Sequence, residues 1–157
     1  MKKLFQSTQA LIRFSILVLL CLTAFLTNAS ANSYVVDNVS DTDNGLGYSI
    51  GDGNNSLRKC IRLANAHSGA DDITFSTSGT IVSTSTLSVT DPLTINGETA
   101  TGWASGTPTI RVDGNNSTVL DVLQFNTGSG ASTLKSVVLT RGRYGLSISG
   151  TLVYKVR

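Results

Sequence analysis

The chain has 157 residues, and its 12 lysines and arginines against 10 aspartates and glutamates give a formal net charge of +2. Three of the basic residues, Lys2, Lys3 and Arg13, lie in a predicted leader, so nine basic and ten acidic side chains remain and the formal charge becomes −1. A mature chain of this size forms one domain at most. Because it lacks the strongly basic surface that nucleic acid requires, nucleic acid is not an expected partner.

The first 31 residues predict an export signal. A basic start is followed by an apolar run at residues 14–26, and Ala29-Ser30-Ala31 forms an A-x-A cleavage site. The run is short for a membrane span and no second run follows, so we expect no span in the mature chain. Cys21 lacks the small preceding residue of a lipoprotein signal. We therefore expect cleavage before Asn32 and a secreted, periplasmic or cell-surface product.

Residues 55–75 predict one short amphipathic helix that leads into a β-strand. Ser56 suits the N-cap, because its hydroxyl can accept a hydrogen bond from a free backbone N–H of the first turn. One apolar face follows at helical spacing: Leu57, Cys60, Ile61 and Ala64. The polar side chains fall on the other face: Arg58, Lys59, Arg62 and Asn65. A helix at about 56–67 is too short to be stable alone, so we expect it to cap the exposed end of a β structure.

Cys60 would be the one cysteine of the mature chain, because Cys21 lies in the leader. Its place on the apolar helix face favours a buried structural thiol over a reactive or intermolecular one. A disulfide within the monomer is therefore not expected.

Short β-strand candidates separated by turn residues fill the rest of the chain. They lie at residues 33–39, 73–75, 80–82, 87–89, 93–95, 110–112, 119–125, 134–139 and 146–148. Two units, at 93–97 and 110–114, share the pattern apolar-x-apolar followed by Asn or Asp and Gly, seventeen residues apart. Imperfect repeats of about 20 residues favour a solenoid of stacked coils, although short strands with regular turns are also typical of a β-sandwich.

These motifs occur in a characteristic order along the chain. They are Ser56-Leu57-Arg58, Ile61, Ala64-Asn65, Gly69-Ala70-Asp71, Ile73-Thr74-Phe75, Leu93-Thr94-Ile95-Asn96-Gly97 and residues 109–115. In this order they resemble the CSLREA-type N-terminal region of secreted bacterial right-handed parallel β-helix proteins, which are adhesin-like or similar to polymorphic outer membrane proteins. The resemblance implies an all-β fold, a right-handed parallel β-helix with a short N-terminal capping helix. The implied divisions are the signal peptide at 1–31, a cap at 32–72 and four or five coils at 73–157.

The chain departs from the CSLREA pattern at three positions: Asn55 replaces a Cys, Lys59 a Glu and Cys60 an Ala. In the family pattern the Ser and the Glu would form a capping box. Lys59 cannot return that bond, and its charge at the positive helix end costs about 0.3–1 kcal/mol. We therefore expect Lys59→Glu to stabilise the helix modestly. The chain also stops part-way through an expected coil, at residues 154–157, which predicts a C-terminal truncation.

The implied coils would be filled by alternate apolar side chains of the strands. The expected interior positions are Ile73, Phe75, Leu87, Val89, Leu93, Ile95, Ile110, Val112, Leu123, Phe125, Val138, Leu146 and Ile148.

An acidic loop before the helix is a weak candidate for calcium binding. Asp41, Asp43 and Asp52, with Asp37 and Asn44 nearby, supply the oxygen ligands that calcium prefers. Residues 41–45 resemble part of a helix-loop-helix calcium loop. The match is incomplete, because the glycine comes one position early and no glutamate closes the loop. Solvated turn residues are the favoured interpretation, and no cofactor is expected.

Catalytic residues are not expected, although parallel β-helices include polysaccharide lyases and glycosidases. Asp113 and Asp121 are the only carboxylates in the later coils, and a glycosidase needs two that face across a cleft. His67, the only histidine, is predicted as a surface residue at the helix exit. Trp103 could present its ring to a sugar, but packing on the flank is favoured. Arg141 and Arg143, beside Tyr144, form a small basic spot that a solvated edge explains.

The resemblance implies a structural or adhesive function, as the capped, non-catalytic N-terminal part of a secreted or surface-exposed protein. A surface glycan or a host protein is the implied kind of partner, and the open C-terminal coil would pack on missing coils or on another copy. Two alternatives stay open: a fragment of a carbohydrate-active enzyme, either a polysaccharide lyase or a glycosidase, and a truncated product without independent function.

Overall fold

The computed structural model describes residues 30–149 and the backbone of residues 155–156. The predicted leader lies almost wholly outside this range. The strands are β1 Ser33–Val36, β2 Asp71–Phe75, β3 Gly79–Val82, β4 Leu87–Val89, β5 Leu93–Asn96, β6 Ile110–Asp113, β7 Asp121–Phe125, β8 Thr133–Lys135, β9 Val137–Thr140, β10 Tyr144–Ile148 and β11 Lys155–Val156. Helix α1 is Leu57–Ala66, and a short 3₁₀ helix occupies Gly97–Thr99. Within the described residues, no helix has the length and apolarity to cross a membrane.

The strands form three parallel sheets. Their orders are β1-β2-β5-β8-β11, β3-β6-β9 and β4-β7-β10. From β2 onwards, consecutive strands enter the three sheets in turn, so each strand pairs with the strand three places later. This pairing also lays each turn between strands on the corresponding turn of the preceding set, which is what positions the site described below.

The predicted fold class, an all-β right-handed parallel β-helix, is wrong. The described residues form a mixed structure of one ten-residue helix and three separate small parallel sheets, and none of these sheets closes on itself. The reason is that strand alternation and turn dipeptides determine where strands lie and which face is buried, but not how separate sheets meet. One predicted strand, at 134–139, is in fact divided into β8 and β9 at Ser136, whose φ is +50°.

Helix α1 begins and ends close to the predicted interval of 56–67. The Ser56 side chain accepts a hydrogen bond from the Lys59 N–H at 3.1 Å, and the His67 N–H returns to the carbonyl of Ala64. The helix packs on β1, β2 and β4, with its apolar face buried. The predicted cap and coil segments also share a sheet, because β1 pairs with β2 in register from Ser33 with Asp72 onwards.

The core consists of apolar side chains from α1 and from all three sheets. Ten of the thirteen expected interior side chains are buried, namely those from Ile73 to Phe125. Val138 and Leu146 are half-buried, and Ile148 is 43% exposed. These three lie on β9 and β10, which are edge strands of their sheets, so their outer side lacks a further strand among the described residues.

Glycines allow stacked turns to touch at two places. A Cβ on Gly97 would lie 2.2 Å from the carbonyl oxygen of Ser136, in the turn after β8. A Cβ on Gly114 would lie 2.7 Å from the Cα of Gly142. Backbone therefore packs directly on backbone where the chain passes from one strand to the next.

Candidate functional site

The acidic loop, residues 37–55, folds over the helix face that was predicted to be polar. Asp41 binds Arg58 through two bonds, of 3.0 Å to Nε and 2.9 Å to Nη2, and it also accepts from the Thr84 N–H at 2.7 Å. Asp43 pairs with Arg62, which also donates to the carbonyl of Leu46 at 2.8 Å. The loop is thereby tied to the helix and to the turn between β3 and β4.

The calcium candidates of this loop lie on cations of the protein itself. Asp41 and Asp43 are bound to arginines, and the carboxylate of Asp52 lies 4.0 Å from Lys59 Nζ. Across residues 30–149 there is no group of three His, Cys, Asp or Glu side chains placed to hold a metal ion. The favoured interpretation of solvated turn residues is wrong for Asp41, whose side chain is 5% exposed.

Lys59 lies on the predicted polar face of the helix, yet it is buried. Its side chain is 1% exposed, and its nearest anion is Asp52, which is itself partly exposed. Helical periodicity placed Lys59 correctly relative to the apolar face, but the acidic loop covers the opposite side as well. Lys59 therefore has an anionic neighbour in the acidic loop, and it does not act as a free charge at the helix end.

Asn55 closes the acidic loop at its helix end. Its backbone N–H and its Nδ2 donate to Asp37 at 2.8 and 2.9 Å, and Nδ2 also donates to the carbonyl of Ser49 at 2.7 Å. Burial raises the pKa of Asp37, but the bonds from Asn55, Asn38 and Gly53 outweigh it and hold the pKa below its ordinary value. Position 55 therefore has a closing role here, which the departure from the family pattern did not reveal.

Cys60 is fully buried on the apolar helix face. Burial, with a smaller contribution from the charge of Asp37, raises the pKa of its thiol to about 12, and Lys59 opposes this shift. A thiol with this pKa carries almost no thiolate at neutral pH, so it is a packing group rather than a nucleophile.

His67 and Trp103 do not form a site in the described structure. His67 Nδ1 lies 3.0 Å from Oδ1 of Asp71, a buried carboxylate that also accepts from the Asn32 N–H at 2.8 Å. The His67–Asp71 contact joins the end of α1 to the start of β2, and Asn32 brings the residue before β1 to the same carboxylate. The Trp103 indole nitrogen is buried without a hydrogen-bond partner among the described residues, so its polar atom is turned away from solvent.

A second cluster lies where the turn after β9 stacks on the turn after β6. Asp113 ends β6 and Asp121 begins β7, and both are buried. Arg141 donates from Nε to Asp113 at 2.8 Å, and Arg143 donates from Nε and Nη2 to Asp121 at 2.9 and 3.1 Å. The parallel register brings the partners together, because Asp113 lies opposite Thr140 and Asp121 opposite Tyr144.

Backbone bonds hold these two turns in place. Gly114 N–H donates to the carbonyl of Thr140 at 2.8 Å, and Arg143 N–H donates to the carbonyl of Leu120 at 2.7 Å. Gly142, between the arginines, has no room for a Cβ, which would lie 2.6 Å from the Val122 side chain. The two guanidinium groups are therefore presented from a rigid support.

A groove of about 450 Å³ opens beside the arginine pair. Its lining residues are Asn116, Ser117, Thr118, Arg141, Gly142 and Arg143, and we call it the arginine groove. Each arginine side chain is 49% exposed, while its aspartate partner is buried beneath it. The groove is thus open to solvent and carries cationic groups held by carboxylates below.

The carboxyl groups beneath the groove are poor acids for catalysis. The hydrogen bond from Arg141 lowers the pKa of Asp113, and the bond from Arg143 lowers the pKa of Asp121. A glycosidase acid needs a raised pKa, because it has to hold a proton at working pH. These two residues instead position the arginines. Sequence reasoning found all four residues but missed their pairing, since partners 28 and 22 residues apart meet only through the sheet register.

Comparison of the chain with protein-family models, with curated proteins and with solved structures found no match. The resemblance to the CSLREA-type region therefore stays a prediction from the motifs alone. Function has to be argued from the residues of the acidic loop and of the arginine groove.

Proposed function

We propose that the chain is a non-catalytic structural and binding module of an exported protein. Its stacked strands hold turns in fixed positions, and the turns carry the surface that meets a partner. The predicted signal at residues 1–31 supports export, to the periplasm, the cell surface or the medium.

One observation carries the proposal: four arginines of the described structure are committed to aspartates that lie in other segments. The pairs are Arg58 with Asp41, Arg62 with Asp43, Arg141 with Asp113 and Arg143 with Asp121. Carboxylates used in this way hold segments together and orient cations, and they are not free for proton transfer. This use of charge suits a scaffold that presents a surface.

Export is tested by producing the full chain with a C-terminal tag in a bacterial host and by sequencing the N-terminus of the tagged product. We expect a product outside the cytoplasm that begins at Asn32. A matched variant, Ala31→Phe, should slow cleavage because the site needs small residues. A tagged chain that stays in the cytoplasm with Met1 intact would overturn the exported module.

The non-catalytic part is tested on the same product with acidic and neutral polysaccharides. We expect no new reducing ends, which a glycosidase would form, and no unsaturated ends, which a lyase would form. Turnover that survives purification and is lost in Asp113→Asn and Asp121→Asn would support the carbohydrate-active alternative instead.

A further inference from the structure

The structure assigns to the arginine groove the binding of an acidic polysaccharide through its carboxylate or sulfate groups. This inference rests on the proposed function, because it names the partner class of the surface that the module presents.

Each guanidinium of the arginine pair has one edge that its aspartate does not use. Arg141 and Arg143 use Nε and Nη2 for their aspartates, and Nη1 of each makes no hydrogen bond within the described residues. Nη1 carries two N–H donors. Because the buried partners already fix both side chains, little rotamer entropy remains to be lost when an anion accepts from these donors.

The surface near the groove carries more positive than negative charge. Arg111 is exposed on β6, and its charge contributes to the low pKa of Asp113. Arg111 does not line the groove, but with Arg141 and Arg143 it makes three arginines against two buried carboxylates, so this part of the surface has a local excess of one positive charge. An anionic group is attracted to such a surface, and the attraction weakens with added salt.

The lining of the groove also offers polar groups that are free to bind a ligand. Asn116 and Thr118 are exposed, and their side chains make no hydrogen bond within the described part of the chain. Ser117 Oγ accepts from the N–H groups of Val119 and Leu120, so its own hydroxyl proton remains available. An amide and two hydroxyls beside an arginine pair match the hydroxyl groups and acidic substituents of a sugar chain.

The groove is open, and an aromatic ring lies at its edge. The groove is open to solvent, and none of its lining residues has an apolar side chain. Tyr144 lies next to it with 59% of its surface exposed, and Cζ of Arg143 is 5.2 Å from the centroid of its ring. An open, polar groove with an aromatic ring at its edge suits a stretch of an extended polysaccharide better than an acidic peptide.

The backbone at this groove is left-handed at three positions. Asn115, Asn116 and Arg141 have φ of 55°, 58° and 57°. Asparagine adopts this conformation readily, whereas for arginine it is uncommon. At Arg141 it accompanies a side chain that reaches back to Asp113 and leaves its outer edge toward the groove.

The binding experiment uses the purified full chain as exported, at low and at physiological salt. It is passed over immobilised polygalacturonate, dextran sulfate, unsubstituted dextran and poly-L-glutamate. We expect retention on one or both anionic polysaccharides, weaker retention at higher salt and none on dextran. Polygalacturonate alone would name a carboxylate as the recognised group, and dextran sulfate alone a sulfate.

Variants locate the binding. Arg143→Gln should weaken binding about tenfold, the expected loss for one charge-assisted hydrogen bond. Arg62→Gln is the matched control, because it removes the same charge from an arginine–aspartate pair on α1, away from the groove. If circular dichroism shows that Arg143→Gln unfolds, the double variant Asn116→Gly/Thr118→Ala decides, because the two side chains make no described hydrogen bond and glycine accepts the left-handed backbone of position 116; it should also weaken binding.

Equal losses in Arg143→Gln and Arg62→Gln would overturn the site, and so would unchanged binding by the double variant. Retention on poly-L-glutamate alone would show an acidic peptide as the partner and overturn the polysaccharide. A folded, exported chain that no polymer retains overturns this inference but not the export of the module. Binding accompanied by turnover of the polysaccharide overturns the non-catalytic function and leaves the groove standing.

Discussion

At the scale of single residues, the structure gives Lys59 a different role from the one that its sequence position predicts. Lys59 was expected to weaken the helix start through its charge, yet it is buried beneath the acidic loop and faces Asp52. A buried ammonium is tolerated only where anions compensate for the lost hydration. The local sequence could place Lys59 on the helix but could not show which distant segment covers it.

Lys59→Glu is therefore expected to destabilise the protein by about 3–5 kcal/mol, because it buries a carboxylate beside Asp52 and near Asp43. This reverses the expectation from the capping box. Urea unfolding of the two proteins, monitored by circular dichroism, measures the difference.

The control for this change is Lys59→Met, which keeps an unbranched side chain only one heavy atom shorter and removes its charge. Its stability should lie within about 1.5 kcal/mol of the parent or exceed it. A more stable Lys59→Glu protein would show that the helix N-terminus, rather than the acidic loop, governs this position.

At the scale of elements, helix α1 is held from two sides. Its apolar face rests on strands of two sheets, and its arginines bind the acidic loop. The position and ends of the helix could be predicted, since Ser56 and the apolar spacing of Leu57 to Ala64 are local features. The acidic loop could not, because its partners lie 17 and 19 residues away and its sequence is typical of any polar turn.

Leu57→Ala should lower the free energy of unfolding by about 2–5 kcal/mol, since Leu57 is 1% exposed and packs in the core. Leu46→Ala in the acidic loop is the matched control, because Leu46 is exposed, and it should change stability by less than about 0.5 kcal/mol. Chemical denaturation gives both values. Similar small losses in the two variants would mean that α1 does not anchor on the sheets.

The acidic loop and the arginine groove also predict the response to acid. The pKa values of Asp37, Asp43, Asp113 and Asp121 lie below the ordinary value in the folded state. Their contribution to stability is present above the unfolded pKa of about 3.9 and is lost as the pH falls through the lower folded values. Burial raises the pKa of Asp72, which opposes this trend; it is the one carboxyl with a raised pKa among the described residues.

We expect the urea midpoint to stay nearly constant from neutral pH down to about pH 5 and to fall steeply below about pH 4. Asp43→Asn, which removes one of the four groups, should fall less steeply. A midpoint that rises on acidification would contradict the direction assigned to these carboxyls.

At the scale of the whole molecule, strand positions followed from the sequence and the arrangement of sheets did not. Alternating pairs such as Ile73 with Phe75 and Leu93 with Ile95 show both a strand and its buried face. Whether neighbouring strands join one sheet depends on the turns between them, and the left-handed Ser136 between β8 and β9 leaves no local pattern. This is why the strands could be predicted while the fold class was wrong.

The contact between stacked turns is tested at Gly97. Gly97→Ala would place a methyl group 2.2 Å from the carbonyl oxygen of Ser136, and we expect a loss of about 1–3 kcal/mol or more. Gly47→Ala is the matched control, because a Cβ there meets nothing within 4 Å. Thermal melts of both proteins decide, and equal melting temperatures would show that the turn after β8 does not lie against Gly97.

The parallel pairing of the strands has a kinetic consequence. Paired residues are separated by 22 positions for Asp71 with Leu93 and by 39 for Ser33 with Asp72, so no described strand pair can start as a hairpin. The chain has to lose the entropy of closing long loops before strand pairing can stabilise it, and its one described helix is only marginally stable alone. Folding in roughly milliseconds to seconds is expected for such pairing, so a newly made chain stays unfolded for that time, which is compatible with the export proposed above.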